Sequence, residues 1–185
     1  MILNEEQAMV RDMARRFASE QLAPQSAAWD ESGEFPRAVI AEMGALGLMG
    51  MLVPEEWGGA MTDTIAYACA LEEIAAGNGA ISTIMSVHNS VGCVPILRFG
   101  TEAQKAFYLP RICRAEAFFC IGMSEPQAGS DLASVVTRAR RNDSGWLLNG
   151  QKIWTTNAHH CQYMIALVRS SGDKEDRQAG LSQFI

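Results

Sequence analysis

The sequence predicts an α+β protein in two parts: an N-terminal all-α helical domain over residues 1–116, then an antiparallel β-barrel-like domain over 117–185. Three observations predict it. Apolar residues recur at helical spacing through the first part, and beyond residue 116 they come instead in short runs. Two strong turn signals, Asn142-Asp143-Ser144-Gly145 and Asn149-Gly150, separate those runs. Helices come first and strands second, which gives segregated α and β regions rather than βαβ alternation.

The elements follow in order. Asn4 caps a first helix, with Gln7 placed to complete a capping box and Val10, Met13, Ala14, Phe17 and Ala18 on one face; Pro24 ends it or follows its end. A second helix starts at Pro36 and stops at Gly47. LVPEEWGG, 52–59, is a loop. A third helix over about 63–76 puts Tyr67, Ala70, Leu71 and Ile74 on one face, and its alanines predict close helix–helix approach. Gly77 and Gly79 break it, and a fourth helix covers about 80–92. Thr101 with Gln104 makes a second capping box for a fifth helix that reaches Leu109 or passes Pro110. Strands are expected at 118–123, 135–141, 146–148, 153–155 and 163–169, with 170–180 a surface loop. The final LSQFI begins a further strand, so the sheet is expected to be cut short in a truncated chain.

Composition narrows the function. The 185 residues are 48% hydrophobic and 19% charged, enough apolar mass for a core. The net charge is −6 and the basic cluster is only Arg138, Arg140 and Arg141, so nucleic acid is excluded as the main partner. No 18-residue apolar run is evident, so no membrane span is expected. The start, MILNEEQ, is acidic and helical and carries no signal segment. The five cysteines (69, 93, 113, 120, 161) form no CxxC pair. They read as reduced thiols in small core positions, and a cytoplasmic location is expected.

Two polar runs stand out. MSEPQAGSD, 123–131, directly follows a strand and is a Pro-stiffened corner with Ser124 and Ser130. GQKIWTTNA, 150–158, offers Thr155 and Thr156 beside Trp154. A flat heteroaromatic ligand with a phosphate tail needs an apolar wall, hydroxyls and N–H groups at its polar edge, and glycine where backbone meets phosphate. From composition alone the same residues read first as two well-made turns with a core tryptophan, because turns are commonly rich in Ser, Pro and Gly. Other chemistries have less support. GxGxxG, a Walker loop and GxSxG are absent. Ser130-Asp131 with His159 or His160 makes a poor triad, and His159-His160-Cys161 are too close in sequence to chelate one metal, so no metal is expected. His88 reads as a packed core histidine, and Glu72-Glu73 as a solvated patch.

At these residues the chain resembles a family. SEPQAGSD, 124–131, is similar to the TEPxAGSD signature of acyl-CoA dehydrogenases, and NGQKIWTTNA, 149–158, to their NGxKxWITNA signature, at the usual separation. The LVPEEWGG loop, the Ala-rich helix and HNSVG, 88–92, occur in the family's order, so the resemblance covers essentially the whole chain.

The resemblance implies FAD as cofactor and α,β-dehydrogenation of acyl-CoA thioesters. A carboxylate takes the α proton and hydride leaves the β carbon for the flavin. Ile121, Gly122, Met123, Ser124, Gly129 and Ser130 match the first flavin-binding run. Ser124 stands where the family has a threonine on the pyrimidine edge, and Ser130 matches the serine that reaches the phosphate and pantetheine region of the ligands. Trp154, Thr155 and Thr156 match the second run: Trp154 walls the ring, Thr156 donates to the flavin nitrogen that receives hydride, and Thr155 replaces an isoleucine and adds a hydroxyl. Val87, His88 and Val91, with Ser130, match the acyl substrate region.

The family's C-terminal four-helix bundle, which supplies the catalytic glutamate, has no match in these residues, so the catalytic base is unknown and Glu125 is not it. Residues 1–185 alone are expected to bind FAD weakly and turn over nothing. Electron-transfer flavoprotein is the implied acceptor, and the full-length protein is expected to form a homo-oligomer. Two alternatives stay open: a flavin monooxygenase or oxidase on the same scaffold, and a non-catalytic truncated module that binds CoA esters or flavin.

Overall fold

The structure, a computed structural model, describes residues 2–185. Its contacts divide the chain into a helical unit, Met1–Ala117, and a β unit, Phe118–Ile185.

The helical unit begins with α1 (Glu5–Phe17), closed at its start by the expected capping box: the Asn4 side chain accepts from the Gln7 N–H at 2.8 Å, and the Gln7 side chain accepts from the Asn4 N–H at 3.0 Å. The helix runs on through a π-helical turn, Ala18–Leu22, that buries Leu22 before the chain reaches Pro24. A short α2 (Ser26–Ser32) was not expected; it buries none of its residues, so it carries no periodic apolar face. α3 (Arg37–Ala45) follows, with Pro36 as the cap residue rather than the first helical one.

α4 (Thr64–Gly77) is capped by Asp63, whose carboxylate accepts from the Ile65 and Ala66 N–H groups at 2.8 Å. It buries Ala66, Ala70 and Ile74, and it is tied to α1 by an Arg15–Glu73 ion pair at 2.6 Å. Glu73 is therefore a partner of α1 and not a member of a free acidic patch. The close approach predicted from the alanines is real: a Cβ on Gly77 would sit 2.9 Å from the Ala18 Cβ.

α5 (Gly79–Val87) is capped by Asn78 and passes through a π-helical turn, His88–Cys93, into α6 (Val94–Phe99). Helical structure thus continues past Gly92: the π-helical turn runs directly into α6, with Pro95 in its first turn. This continuity makes Gly79–Phe99 long and apolar enough, by length and composition alone, to cross a membrane. Its contents are those of a core helix. Ile81, Met85, His88, Asn89, Cys93 and Ile96 are buried, and Asn89 Nδ2 donates to the carbonyls of Leu48 and Met85. α7 (Glu102–Cys113) has the second expected capping box and passes Pro110. Ile40, Met43, Leu48, Met49, Met51, Ile74, Leu109 and Ile112 are fully buried and form the centre of the unit, each worth roughly 2 kcal/mol of transfer free energy.

The β unit holds β1 (Phe119–Gly122), β2 (Arg138–Asn142), β3 (Gly145–Asn149), β4 (Tyr163–Arg169) and β5 (Leu181–Phe184). The α+β class stands, but the sheet is mixed and open rather than an antiparallel barrel. Its order is β1-β4-β2-β3, with β5 also on β4. β2 and β3 form the expected hairpin across Asn142–Gly145, and β4 pairs antiparallel with β5. β1 runs parallel to β4, with Phe119 opposite Tyr163 and Gly122 opposite Ala166. That pairing joins segments more than 40 residues apart in the sequence, and no local turn signal announces it.

The expected strand at 153–155 is absent. Trp154 sits in the left-handed region at φ 56°, which no strand accommodates. The sheet's apolar centre is Ala139, Ala166 and Val168 with Met164 and Phe184 against it, and Trp146 meets Phe184 edge-on at 5.0 Å.

Candidate functional site

The first polar run leaves the end of β1 and turns at once. Pro126 presets the bend, and Glu125 and Ala128 exchange two main-chain bonds across it, at 2.9 and 3.0 Å. The run buries one carboxylate. Glu125 is 2% exposed, and both its oxygens are filled. Oε1 accepts from the Thr137 N–H at 3.0 Å and from Lys152 Nζ at 2.8 Å; Oε2 accepts from the Val136 N–H at 2.8 Å and from Gln127 Nε2 at 2.6 Å. Burial alone would raise its pKa. Lys152 and the Val136 and Thr137 N–H donors outweigh that and hold the carboxyl at about 2, so it is an anion at all ordinary pH values.

The second run is seated on the first. Lys152 Nζ donates to the Met123 carbonyl at 2.9 Å as well as to Glu125, and the Ile153 N–H donates to the Ser124 carbonyl at 2.9 Å. Ser124 therefore lies beside Ile153, one residue from Trp154 and three from Thr156. Beyond Ile153 the chain bends sharply, with the Thr156 N–H on the Trp154 carbonyl at 3.1 Å and a second left-handed residue at Asn157, φ 60°. The indole of Trp154 is 84% exposed, which rules out a core tryptophan. The Thr155 hydroxyl oxygen is buried and has no partner.

The far end of the corner is fixed separately. Ser130 and Gly129 are exposed, and a Cβ on Gly129 would meet nothing within 4 Å, so space does not demand glycine there. Gly122 does face a near neighbour, with Met164 Sδ 2.8 Å from where a Cβ would stand; Ile121 and Met123, on either side of it, are half-buried. Asp131 binds Arg177 at 2.8 and 3.2 Å and accepts from the Ser134 hydroxyl; Ser134 first and Arg177 second lower its pKa. Behind it, Arg169 at the end of β4 is 1% exposed and donates to the carbonyls of Ala133, Val135, Arg177 and Ala179. One guanidinium thus fixes the loop after the corner and the loop before β5 together.

The three residues matched to the acyl region lie in the helical unit. Val87 ends α5 at 37% exposure, and Val91 is half-buried in the following π-helical turn. His88 is 4% exposed, with Nε2 2.7 Å from the Ile112 carbonyl; burial lowers its pKa to about 4, so the ring is neutral and donates. His88 is thus engaged by the core. His159 and His160 stack at 3.9 Å, and the described residues hold no group of three metal-ligating side chains.

Two family models match the chain: the acyl-CoA dehydrogenase N-terminal domain over residues 4–116, and the acyl-CoA dehydrogenase middle domain over residues 120–185. The chain belongs to the acyl-CoA dehydrogenase family. It is 39% identical over 185 residues to an acyl-CoA dehydrogenase of Bacillus subtilis, covering 100% of this chain and 48% of that one. It is 40% identical over 183 residues to the mitochondrial short-chain specific acyl-CoA dehydrogenase of Bos taurus, covering 99% of this chain and 44% of that one. Its backbone matches a glutaryl-CoA dehydrogenase from Mycobacterium smegmatis solved in complex with FADH2, with a TM-score of 0.89, 32% identity, and 98% of this chain and 45% of that one covered. The chain spans about half the length of these relatives.

The acyl-CoA dehydrogenase family are flavoproteins, and the residues here suit a flavin. An exposed indole held out of the core, a buried hydroxyl without a protein partner at Thr155, and the hydroxyls of Ser124 and Thr156 nearby supply the wall and the polar edge that such a ring needs. Sequence reading placed Glu125 in this corner but missed Lys152, Arg169 and the Asp131–Arg177 pair. Lys152 had a signal, a basic side chain in one motif opposite a carboxylate in the other. Arg169 had none, because its acceptors are main-chain carbonyls.

Proposed function

We propose that this chain is the N-terminal and middle part of an FAD-dependent acyl-CoA dehydrogenase acting on acyl-CoA thioesters. The observation that supports it most is the join between the two motifs: Ile153 on Ser124, and Lys152 on Met123 and Glu125, with Trp154 exposed beside them. Flavin, when bound, supplies the two-electron acceptor for the α,β-dehydrogenation. Ser124 and Thr156 offer hydroxyls, and Ile121 to Met123 and Gly129 offer main-chain groups, to its polar edge. With flavin bound, the exposed indole of Trp154 would wall the ring. Ser130 lies exposed at the outer end of the corner, where a phosphate or pantetheine group can reach it. Val87, His88 and Val91 are assigned to the acyl chain, His88 through the packing around it. The carboxylate base is assigned to sequence outside these residues, since Glu125 is fully engaged and ionised.

Electron-transfer flavoprotein as acceptor, a homo-oligomeric full-length protein and a cytoplasmic location belong to the same reading; the last rests on reading the odd number of cysteines, five, as reduced thiols. Titrating the purified chain with FAD and following quenching of flavin and tryptophan fluorescence tests it. Saturable binding that Trp154→Ala weakens at least tenfold is expected, with no acyl-CoA oxidation. Absence of any FAD binding by the chain, or of any effect of Trp154→Ala on it, would overturn the assignment.

A further inference from the structure

We propose that Glu125 and Lys152 are positioning residues that hold the two motif runs in the one arrangement that accepts the isoalloxazine ring; this rests on the FAD reading above. The two side chains are 1% and 10% exposed and 2.8 Å apart. A buried ion pair often contributes little to stability against an apolar pair of the same volume, so stability alone does not account for it. What this pair does is geometric. The carboxylate reaches three segments: Gln127 in its own turn, Val136 and Thr137 ahead of β2, and Lys152 in the second run. The ammonium returns to Met123, immediately before Ser124.

The pair and the Ile153–Ser124 bond therefore form one latch, and the next residue is Trp154. A tryptophan at φ 56° costs roughly 1 kcal/mol or more relative to ordinary backbone, and it persists only where its surroundings determine it. The latch is the fixed point from which that bend starts. If it opens, the indole and the Thr155 and Thr156 hydroxyls lose their relation to Ser124, although each stays in the chain. By linkage, a latch that favours flavin must itself be favoured by flavin.

The test uses the 185-residue chain, with Lys152→Met and Glu125→Gln compared against the wild type. The readouts are FAD affinity, the visible absorption and circular dichroism of bound flavin, and site-resolved amide exchange. Both variants are expected to keep the β2–β3 hairpin protected, to weaken FAD at least tenfold, and to give bound flavin a spectrum close to that of free flavin. Variants that stay folded and bind FAD with wild-type affinity and spectrum would overturn the proposal. Should either variant fail to fold, the wild type decides: FAD must slow exchange at the Ile153, Val136 and Thr137 amides, and unchanged exchange there in saturated protein would overturn it. A wild type that binds no FAD refutes the functional reading instead, which separates the two failures.

Discussion

Replacing Arg169 with methionine is the sharpest test of how the β unit is built. Arg169 is the largest of the fully buried side chains, and its hydrogen-bond partners are four main-chain carbonyls. Three of the bonds are short, at 2.8 to 2.9 Å, and the fourth, from Nε to Val135, is long at 3.3 Å. Methionine fills similar space and donates nothing. Three stranded carbonyls at about 2 kcal/mol each give roughly 6 kcal/mol. Relief from burying a charge returns about 2 kcal/mol, leaving a net loss of about 4 kcal/mol. Domains hold only roughly 0.05–0.15 kcal/mol per residue, so this is a large share of what a unit of this size has. Urea unfolding with segment-resolved hydrogen exchange measures it. Protection is expected to fall first at 131–137 and 177–181, while the helical unit keeps its midpoint. Arg141→Met, on the exposed side of β2, is the control and should stay within about 0.5 kcal/mol. An Arg169→Met protein within the same 0.5 kcal/mol of wild type would refute the reasoning.

Other outcomes follow from single groups. Glu125 has a folded pKa of about 2 against an ordinary 4.5, so its contribution is complete above pH 4.5 and disappears as pH falls toward 2; wild type should lose about 3 kcal/mol across that window that Glu125→Gln does not lose, read by acid unfolding. His88 is lowered from 6.5 to about 4 by burial, so the unfolded chain binds its proton first and the helical unit loses up to about 3 kcal/mol as pH drops from 6.5 to 4; an NMR midpoint of 6 or higher for His88 would contradict the burial argument. Gly59→Ala would place a Cβ 2.0 Å from the Val53 carbonyl oxygen, in a loop also closed by Gly59 on Pro54 and Met61 on Val53, and should cost about 3 kcal/mol by thermal unfolding.

Most of the helical unit was legible because its signals are local. The Asn4/Gln7 and Thr101/Gln104 boxes mark helix starts within three residues, and the alanines of α4 announce the contact that leaves Gly77 no room for a Cβ. The failures were also local, where a signal had two readings. Gly92 and Pro95 look like breakers, yet a glycine in a π-helical turn and a proline in the first turn of α6 both continue a helix. Ile153, Trp154 and Thr155 are strand formers by type, but the latch at Lys152 and the bend at Trp154 override propensity. Parallel pairing of β1 with β4 leaves no trace in either segment, because it is decided by which distant strand covers the open edge.

The site divides along the same line. Its chemical inventory could be read from residue types: hydroxyls at Ser124, Ser130, Thr155 and Thr156, and an indole at Trp154. Its assembly could not, since that depends on a carboxylate and an ammonium 27 residues apart. Glu125 shows why type alone misleads. A glutamate in a polar corner invites assignment as a base. Yet one held at about pKa 2 by an ammonium and two main-chain donors has no proton affinity to offer at neutral pH. The chemistry that needs a base must therefore draw it from elsewhere, while Glu125 does what a permanently charged acceptor does well, which is to hold donors from separate segments at fixed distances.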